Sequence, residues 1–274
     1  MTEFHHISVL LKESIEGLNI RPEGIYLDGT LGGAGHSAEI AKRLTTGRLI
    51  GVDRDPKALA AAEQRLAPWM DRVELVHSNF RELDAILDSL GIPAVDGILL
   101  DLGVSSPQLD EADRGFSYMA DAPLIAAAIV RRREQAPIET TLELVDVIRS
   151  AMPQKALREK QHPAKRSFQA IRIAVNDELG AVDAVMRRAI DRLKPGGRLA
   201  VITFHSLEDR IVKNAMAEAV RGCTCPPEFP VCVCGKKPKL KLIARKPITA
   251  GEEELERNPR ARSAKLRVAE RLQL

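Results

Sequence analysis

The segment from Gly24 to Asp55 constrains this chain more than any other. Ile25 to Leu27 form a short apolar run suited to a buried strand, and Gly29, Gly32, Gly33 and Gly35 follow within a few residues. Glycines at such spacing permit a tight turn and close approach of the backbone to a bound group. A helix is expected to begin near His36, with Ile40 and Leu44 on its apolar face, and Leu49 to Val52 read as the next strand. Asp53 then stands 18 residues after Gly35, close to the ~20-residue offset at which an acid on the second strand of a βαβ unit meets ribose hydroxyls. A glycine turn with Asp53 merely capping the next helix is the plainer alternative. The order strand, glycine loop, helix, strand, acid favours a nucleotide-cofactor site.

The rest of the chain continues the alternation. Val9 to Leu18 reads as a short amphipathic helix, Pro56 starts a helix carrying Leu59, Ala62 and Leu66, and Val73 to Val76 is a third strand. Leu83 to Leu90 is a helix and Gly97 to Leu100 a fourth strand; Leu179 to Leu193 has helical spacing. Lys194 to Gly197 reads as a sharp turn into a fifth strand over Arg198 to Phe204, and Ser206 to Val220 as another helix. Leu240 to Ile243 and Lys265 to Val268 would end the chain as an antiparallel pair at the sheet edge. This is an α/β fold with a parallel sheet and crossover helices. Between about Ser105 and Lys165 the alternation stops, so helical material is inserted after the fourth strand, where substrate-selecting elements are usually placed. The expected organisation is a core over 1–104, an insertion over 105–165 and a second core part over 166–274 containing a cysteine-rich basic loop.

Charge chooses among cofactors. Gly33 to Ala38 satisfies the loose Gly-x-Gly-x-x-Gly/Ala pattern of dinucleotide enzymes, so an NAD-dependent oxidoreductase is one reading. Asp28 ends the first strand and Asp101 the fourth, however, and both should face the crevice at the carboxyl ends of the strands. Carboxylates there repel a pyrophosphate, whereas S-adenosylmethionine carries a sulfonium and an ammonium and no phosphate.

Composition bounds the rest. The 274 residues, 45% of them hydrophobic, suffice for one large α/β domain or one with an inserted module. No apolar run approaches the ~18 residues of a membrane span, and no signal peptide is recognisable, so the expected setting is cytoplasmic and away from membranes. Net charge is only +3, and any nucleic-acid partner must be met by clusters such as Arg131 to Arg133, Lys155 to Arg166 and Lys236 to Lys246. With one Trp, two Tyr and six Phe, phosphate contacts would dominate over base stacking.

Several blocks are long enough to carry a resemblance: Asp28 to Ser37, Asp53 to Pro56, Asp101 to Asp110, Arg114 to Ser117, His162 to Ala170, Phe204 to Arg210 and Asn258 to Ser263. Together they closely resemble the bacterial ribosomal RNA small-subunit methyltransferase H family, also called MraW, from His6 nearly to the C-terminus. The resemblance implies a class I S-adenosylmethionine-dependent methyltransferase, with a Rossmann-like, mostly parallel seven-stranded sheet and a helical insertion. It implies transfer of a methyl group to the exocyclic N4 amine of one cytidine in the decoding region of 16S rRNA, in the small ribosomal subunit. It also implies Ala34, Gly35 and His36 against the donor, Asp53 on ribose hydroxyls, Phe80 beside the adenine, and Asp101 and Gln108 closing the site. Read alone, Phe80 would be core and His36 a helix-start residue. A homodimer and a non-catalytic RNA-binding role stay open. At Leu124 the family continues with an Asp-Met-Arg-Met-Asp stretch and further helices, whereas here Leu124 passes directly to Ile125.

Three clusters complete the expected chemistry. Ser105, Ser106 and Pro107 follow the fourth strand, where amino-directed methyltransferases place the loop that accepts the target amine; a tight turn is the alternative. His162, Lys165 and Arg166 form a basic loop able to reach an RNA backbone, or one that is simply solvated. Cys223, Cys225, Cys232 and Cys234 supply four thiols in twelve residues, enough for a structural zinc site or else four unliganded thiols. Methylation at cytosine C5 would call for an activated thiolate; these cysteines lie far in sequence from the crevice loops.

Overall fold

A computed structural model describes residues 8–102, 122–153, 157–158, 162–226 and 228–273. The chain divides into two compact units, one of residues 1–103 and 179–274, the other of residues 104–178. The second unit therefore runs past residue 165, where the insertion was expected to end.

The first unit is built on a seven-stranded sheet: β1 (Ile25–Asp28), β2 (Arg48–Asp53), β3 (Val73–His77), β4 (Val95–Leu102), β5 (Leu193–Thr203), β6 (Leu240–Leu242) and β7 (Lys265–Arg271). Their order is β3-β2-β1-β4-β5-β7-β6. β1 to β5 are parallel to one another, while β7 is antiparallel to both β5 and β6. The two final strands are thus the antiparallel pair expected, with β7 lying between β5 and β6. The expected turn at Lys194 to Gly197 is instead absorbed into β5. The pairing with β4 shifts register between Val95 and Gly97, and Gly196 takes φ +78, so a glycine-bearing irregularity does what a free turn would have done.

Both faces of the sheet are covered, and the pleat sorts the side chains. Leu27, Ile50, Val52, Ile98, Leu100, Leu199 and Val201 join α4 (Leu83–Ser89), α8 (Glu178–Asp191) and α9 (Ser206–Arg221) in one core. Tyr26, Leu49, Leu99, Ala200 and Ile202 face α1 (Leu11–Leu18), α2 (Gly35–Ala41) and α3 (Pro56–Leu66) in the other. At the amino end of β4, Asp96 accepts hydrogen bonds from Ile25 N at 2.8 Å and Lys194 Nζ at 2.8 Å, and pairs with Arg21. That network clamps β1, β4 and β5 at the edge opposite the crevice. α10 (Glu252–Arg257) precedes β7.

The second unit contains α5 (Ala122–Gln135), α6 (Thr141–Ser150) and α7 (Lys165–Asn176). Thr140 and Glu143 form a reciprocal capping box at the start of α6, and Ile125, Ile148, Ala164 and Phe168 make a small core of its own.

Candidate functional site

The strand order reverses between β1 and β4, and in such sheets the ligand crevice opens at the carboxyl ends of the strands at that point. The glycine loop, which follows β1, fills this position because its amides are tied to β4 and β2. Gly29 N donates to Leu99 O at 2.9 Å, Leu31 N to Val52 O at 3.0 Å, and Gly32 N to Asp53 Oδ2 at 2.8 Å. Gly32 has φ +48 and Ala34 φ +55, the left-handed conformation that turns the chain into α2. A side chain at Gly29 would strike Leu100 Cδ2 at 2.6 Å and Phe80 Cβ at 3.2 Å, so the loop packs directly on β4 and on Phe80.

Asp53 holds the loop through Gly32 N, and its second oxygen accepts Asp55 N at 2.9 Å. Each oxygen keeps a lone pair for an incoming hydroxyl. Asp28 is fully buried; Ser37 Oγ donates to it at 2.6 Å and Thr30 N at 3.1 Å. Burial, with Asp53 adding repulsion, pushes its carboxyl up to about 6 against the hydrogen bonds from Ser37 and Thr30. Asp101 is more exceptional. Burial first, then the charges of Asp28 and Glu208, push it up to about 7, and its Oδ1 is buried with no hydrogen-bond partner among the described residues. Its Oδ2 lies 4.0 Å from His36 Nδ1, while His36 Nε2 is 3.0 Å from Val9 O. Thr30 Oγ1 accepts Asp101 N at 2.6 Å, joining the loop to β4.

Glu208 was not singled out from sequence. It is brought here because His205 caps α9 directly after β5: Glu208 N donates to His205 Nδ1 at 3.3 Å, and Glu208 Oε2 accepts Phe204 N at 3.0 Å and His205 N at 3.3 Å. The Phe204 to Arg210 block carried that signal as a capping pattern at a strand end. Asp28 and Glu208, both buried, and Asp101, half-buried with its Oδ1 covered, place three carboxyls at the end of β1, near the end of β4 and at the start of α9 after β5, a setting that favours a cationic ligand and opposes a phosphate.

A protein-family model, the MraW methylase family, matches residues 3–124 and 125–272. The ribosomal RNA small subunit methyltransferase H of Heliobacterium mobile is 54% identical over 311 aligned positions, covering 98% of this chain and all of the relative. The protein of the same name from Brevibacillus brevis is 54% identical over 309 positions, covering 98% of each. The chain belongs to the MraW methylase family. An rRNA methylase from Streptococcus thermophilus matches it with a TM-score of 0.50 at 15% identity, over 98% of this chain and 99% of that one. TrmN from Thermus thermophilus also scores 0.50, at 16% identity, over 96% of this chain and 48% of that one. These likenesses show the fold, a Rossmann-like class I methyltransferase.

The MraW match breaks between Leu124 and Ile125. An alignment 311 positions long over a chain of 274 residues leaves at least 37 positions of it without a counterpart here. That gap corresponds to the departure noted at Leu124.

Of the residues expected at the cofactor, Ala34, Gly35 and His36 lie on the glycine loop and the start of α2, where all three are buried, Asp53 and Asp101 lie at or near the carboxyl ends of β2 and β4, and Phe80, just after β3, is half-buried and packs on the core. Gln108, Ser105, Ser106 and Pro107 lie outside the described residues. His162 is exposed, but Lys165 and Arg166 occupy the first turn of α7 rather than a loop, because Lys165 N already bonds His162 O at 3.1 Å and closes the turn. The four cysteines converge between α9 and β6, with their sulfurs all within 4.8 Å of one another. No helix of the described residues is long and apolar enough to cross a membrane.

Proposed function

We propose that this protein transfers a methyl group from S-adenosylmethionine to the exocyclic N4 amine of a cytidine in the decoding region of 16S rRNA. The observation that carries the donor assignment is the half-buried Asp101 carboxyl, whose covered Oδ1 has no hydrogen-bond partner among the described residues, beside the charges of Asp28 and Glu208. A dinucleotide pyrophosphate would meet only repulsion there. The relatives' name, a small-subunit rRNA methyltransferase, supports the substrate class. The amine target rests on the family resemblance and on the place of the thiols: α9 separates the cysteines from the end of β5 by 16 residues, roughly 24 Å at 1.5 Å per residue. A thiolate-dependent attack at C5 is disfavoured by that distance.

In this reading S-adenosylmethionine, when bound, supplies an electrophilic methyl carbon on a sulfonium. The chain's task is then orientation. Asp53 holds the glycine loop and accepts ribose hydroxyls, Phe80 flanks the adenine, and Ala34, Gly35 and His36 form the wall at the start of α2. Asp101 offers its carboxylate to the positive end of the donor, and the family resemblance assigns Gln108 to closing the site and the block Ser105, Ser106 and Pro107 to accepting the amine hydrogens, which makes the nitrogen lone pair less delocalised. His162, Lys165 and Arg166 contact RNA phosphate. Two cations in the first turn of α7 oppose its helix dipole, a cost that a bound phosphate offsets.

The test is incubation with S-adenosylmethionine and small ribosomal subunits lacking the modification, followed by nucleoside mass spectrometry. N4-methylcytidine formed only with the protein supports the proposal; another methylated nucleoside overturns the N4 assignment. A second reading, an RNA-binding factor that retains the fold without turnover, gains weight if the gap after Leu124 is a true deletion of the substrate cover. Donor and RNA binding without any methylated nucleoside would support that reading instead.

A further inference from the structure

The segment from Gly222 to Lys239 joins α9 to β6 and is irregular throughout its described residues. Its two ends are fastened together. Lys239 N donates to Ala219 O at 2.8 Å, and Gly222, at φ +66, lies so close to the returning strand that a side chain there would strike Pro238 N at 2.4 Å and Lys237 C at 2.5 Å. Burial does not hold the excursion between these ends. Its large apolar residues point outward, with Phe229 50%, Val231 71% and Val233 73% exposed.

The sulfurs gather at its centre. Cys223 Sγ lies 3.4 Å from Cys232 Sγ and 3.7 Å from Cys234 Sγ; Cys232 Sγ lies 3.5 Å from Cys234 Sγ and 3.9 Å from Cys225 Sγ. The remaining pairs fall within 4.8 Å. A disulfide requires ~2.05 Å, and a pair of disulfides would not draw all four sulfurs together. A tetrahedron with ~2.3 Å metal–sulfur bonds has edges of about 3.8 Å, in the middle of the observed range. Backbone amides also point at the sulfurs: Cys225 N to Cys223 Sγ at 3.4 Å, Val233 N to Cys225 Sγ at 3.4 Å, and Thr224 N to Cys234 Sγ at 3.5 Å.

We propose that Cys223, Cys225, Cys232 and Cys234 bind one zinc ion in a closed, structural tetrathiolate site that orders the loop between α9 and β6. Four thiols lose their protons to water as four zinc–sulfur bonds form, leaving a cluster of net charge −2. Arg221, Lys236 and Lys237 flank it in sequence and offset that charge. Four soft ligands select zinc or iron over magnesium or calcium, and zinc is the ion that needs no redox partner. With every position taken by protein there is no open coordination site, so the ion holds the loop and performs no chemistry.

The test is metal analysis of the full chain purified under reducing conditions without chelator. One zinc per chain is expected, released in step with modification of the four thiols by a mercurial reagent. Cys225→Ser should weaken zinc retention against a chelator at least tenfold, while Cys225→His restores it. Cobalt in place of zinc should show the intense visible bands of tetrahedral thiolate coordination. Circular dichroism checks that each variant keeps the sheet. If a serine variant does not fold, the coupled thiol and zinc release of the unaltered protein decides. Metal-free protein with four freely reactive thiols, disulfides found by mass spectrometry, or bound iron would each overturn the assignment.

Discussion

At the scale of single residues, Asp101 and Asp28 tie function to pH. Their carboxyls are raised to about 7 and about 6, chiefly by burial. Between about pH 4 and pH 7 the folded protein therefore holds protons that the unfolded chain has released, and stability falls as pH rises through that window. Removing the charge should relieve the penalty: Asp101→Asn is expected to raise the melting temperature at pH 8 and leave it nearly unchanged at pH 4, measured by calorimetry. A lower melting temperature at pH 8 would mean that the ionised carboxylate is well paired in the folded state. The same group predicts donor binding. Affinity for S-adenosylmethionine should increase from about pH 6 to about pH 8 as Asp101 ionises, and titration calorimetry of Asp101→Asn should show that dependence flattened. Asp53→Ala should weaken donor binding by about 1.5–3 kcal/mol through loss of charged hydrogen bonds, roughly 10- to 150-fold in Kd; unchanged affinity would remove Asp53 from the site.

At the scale of elements, the glycine loop depends on close packing against β4 more than on chain flexibility. Gly29→Ala would force a methyl into Leu100 Cδ2 at 2.6 Å and against Phe80. Overpacking of this kind costs about 1–3 kcal/mol, which urea denaturation can measure, and the accompanying shift of Phe80 should weaken donor binding as well. A neutral substitution would show that β4 and Phe80 can move apart. Most of this element was legible in the residues: the Gly24 to Asp55 order fixed strand, loop, helix and acid. What was not legible is that Asp53 bonds Gly32 N and that Thr30 bonds Asp101 N, since contacts across 21 and 71 positions of sequence arise only once the strands are aligned.

At the scale of the whole molecule, the residues proposed to meet RNA and those proposed to hold the donor fall in different units. Lys165→Ala and Arg166→Ala, in the 104–178 unit, should leave donor affinity intact while weakening RNA binding. Each should reduce the slope of log affinity against log salt by about 0.7–0.9, as loss of one phosphate contact does. An unaltered slope, measured by filter binding over a salt series, would place the RNA elsewhere. The gap after Leu124 bears on the same question, because at least 37 aligned positions of a 54% identical relative have no counterpart in these 274 residues.

The sequence by itself determined the alternation of elements, the position of the glycine loop and the family, because periodicity, glycine spacing and long motif blocks are local properties of the chain. Only the tertiary structure decided that Glu208 joins Asp28 and Asp101, that Lys194 to Gly197 is part of β5, and that Lys165 and Arg166 open a helix. It also gathered four sulfurs from two Cys-x-Cys pairs around one point. Sheet order and strand register decide which distant side chains share a strand end, and burial there then sets their charge. Neither register nor burial is written in any short stretch of residues.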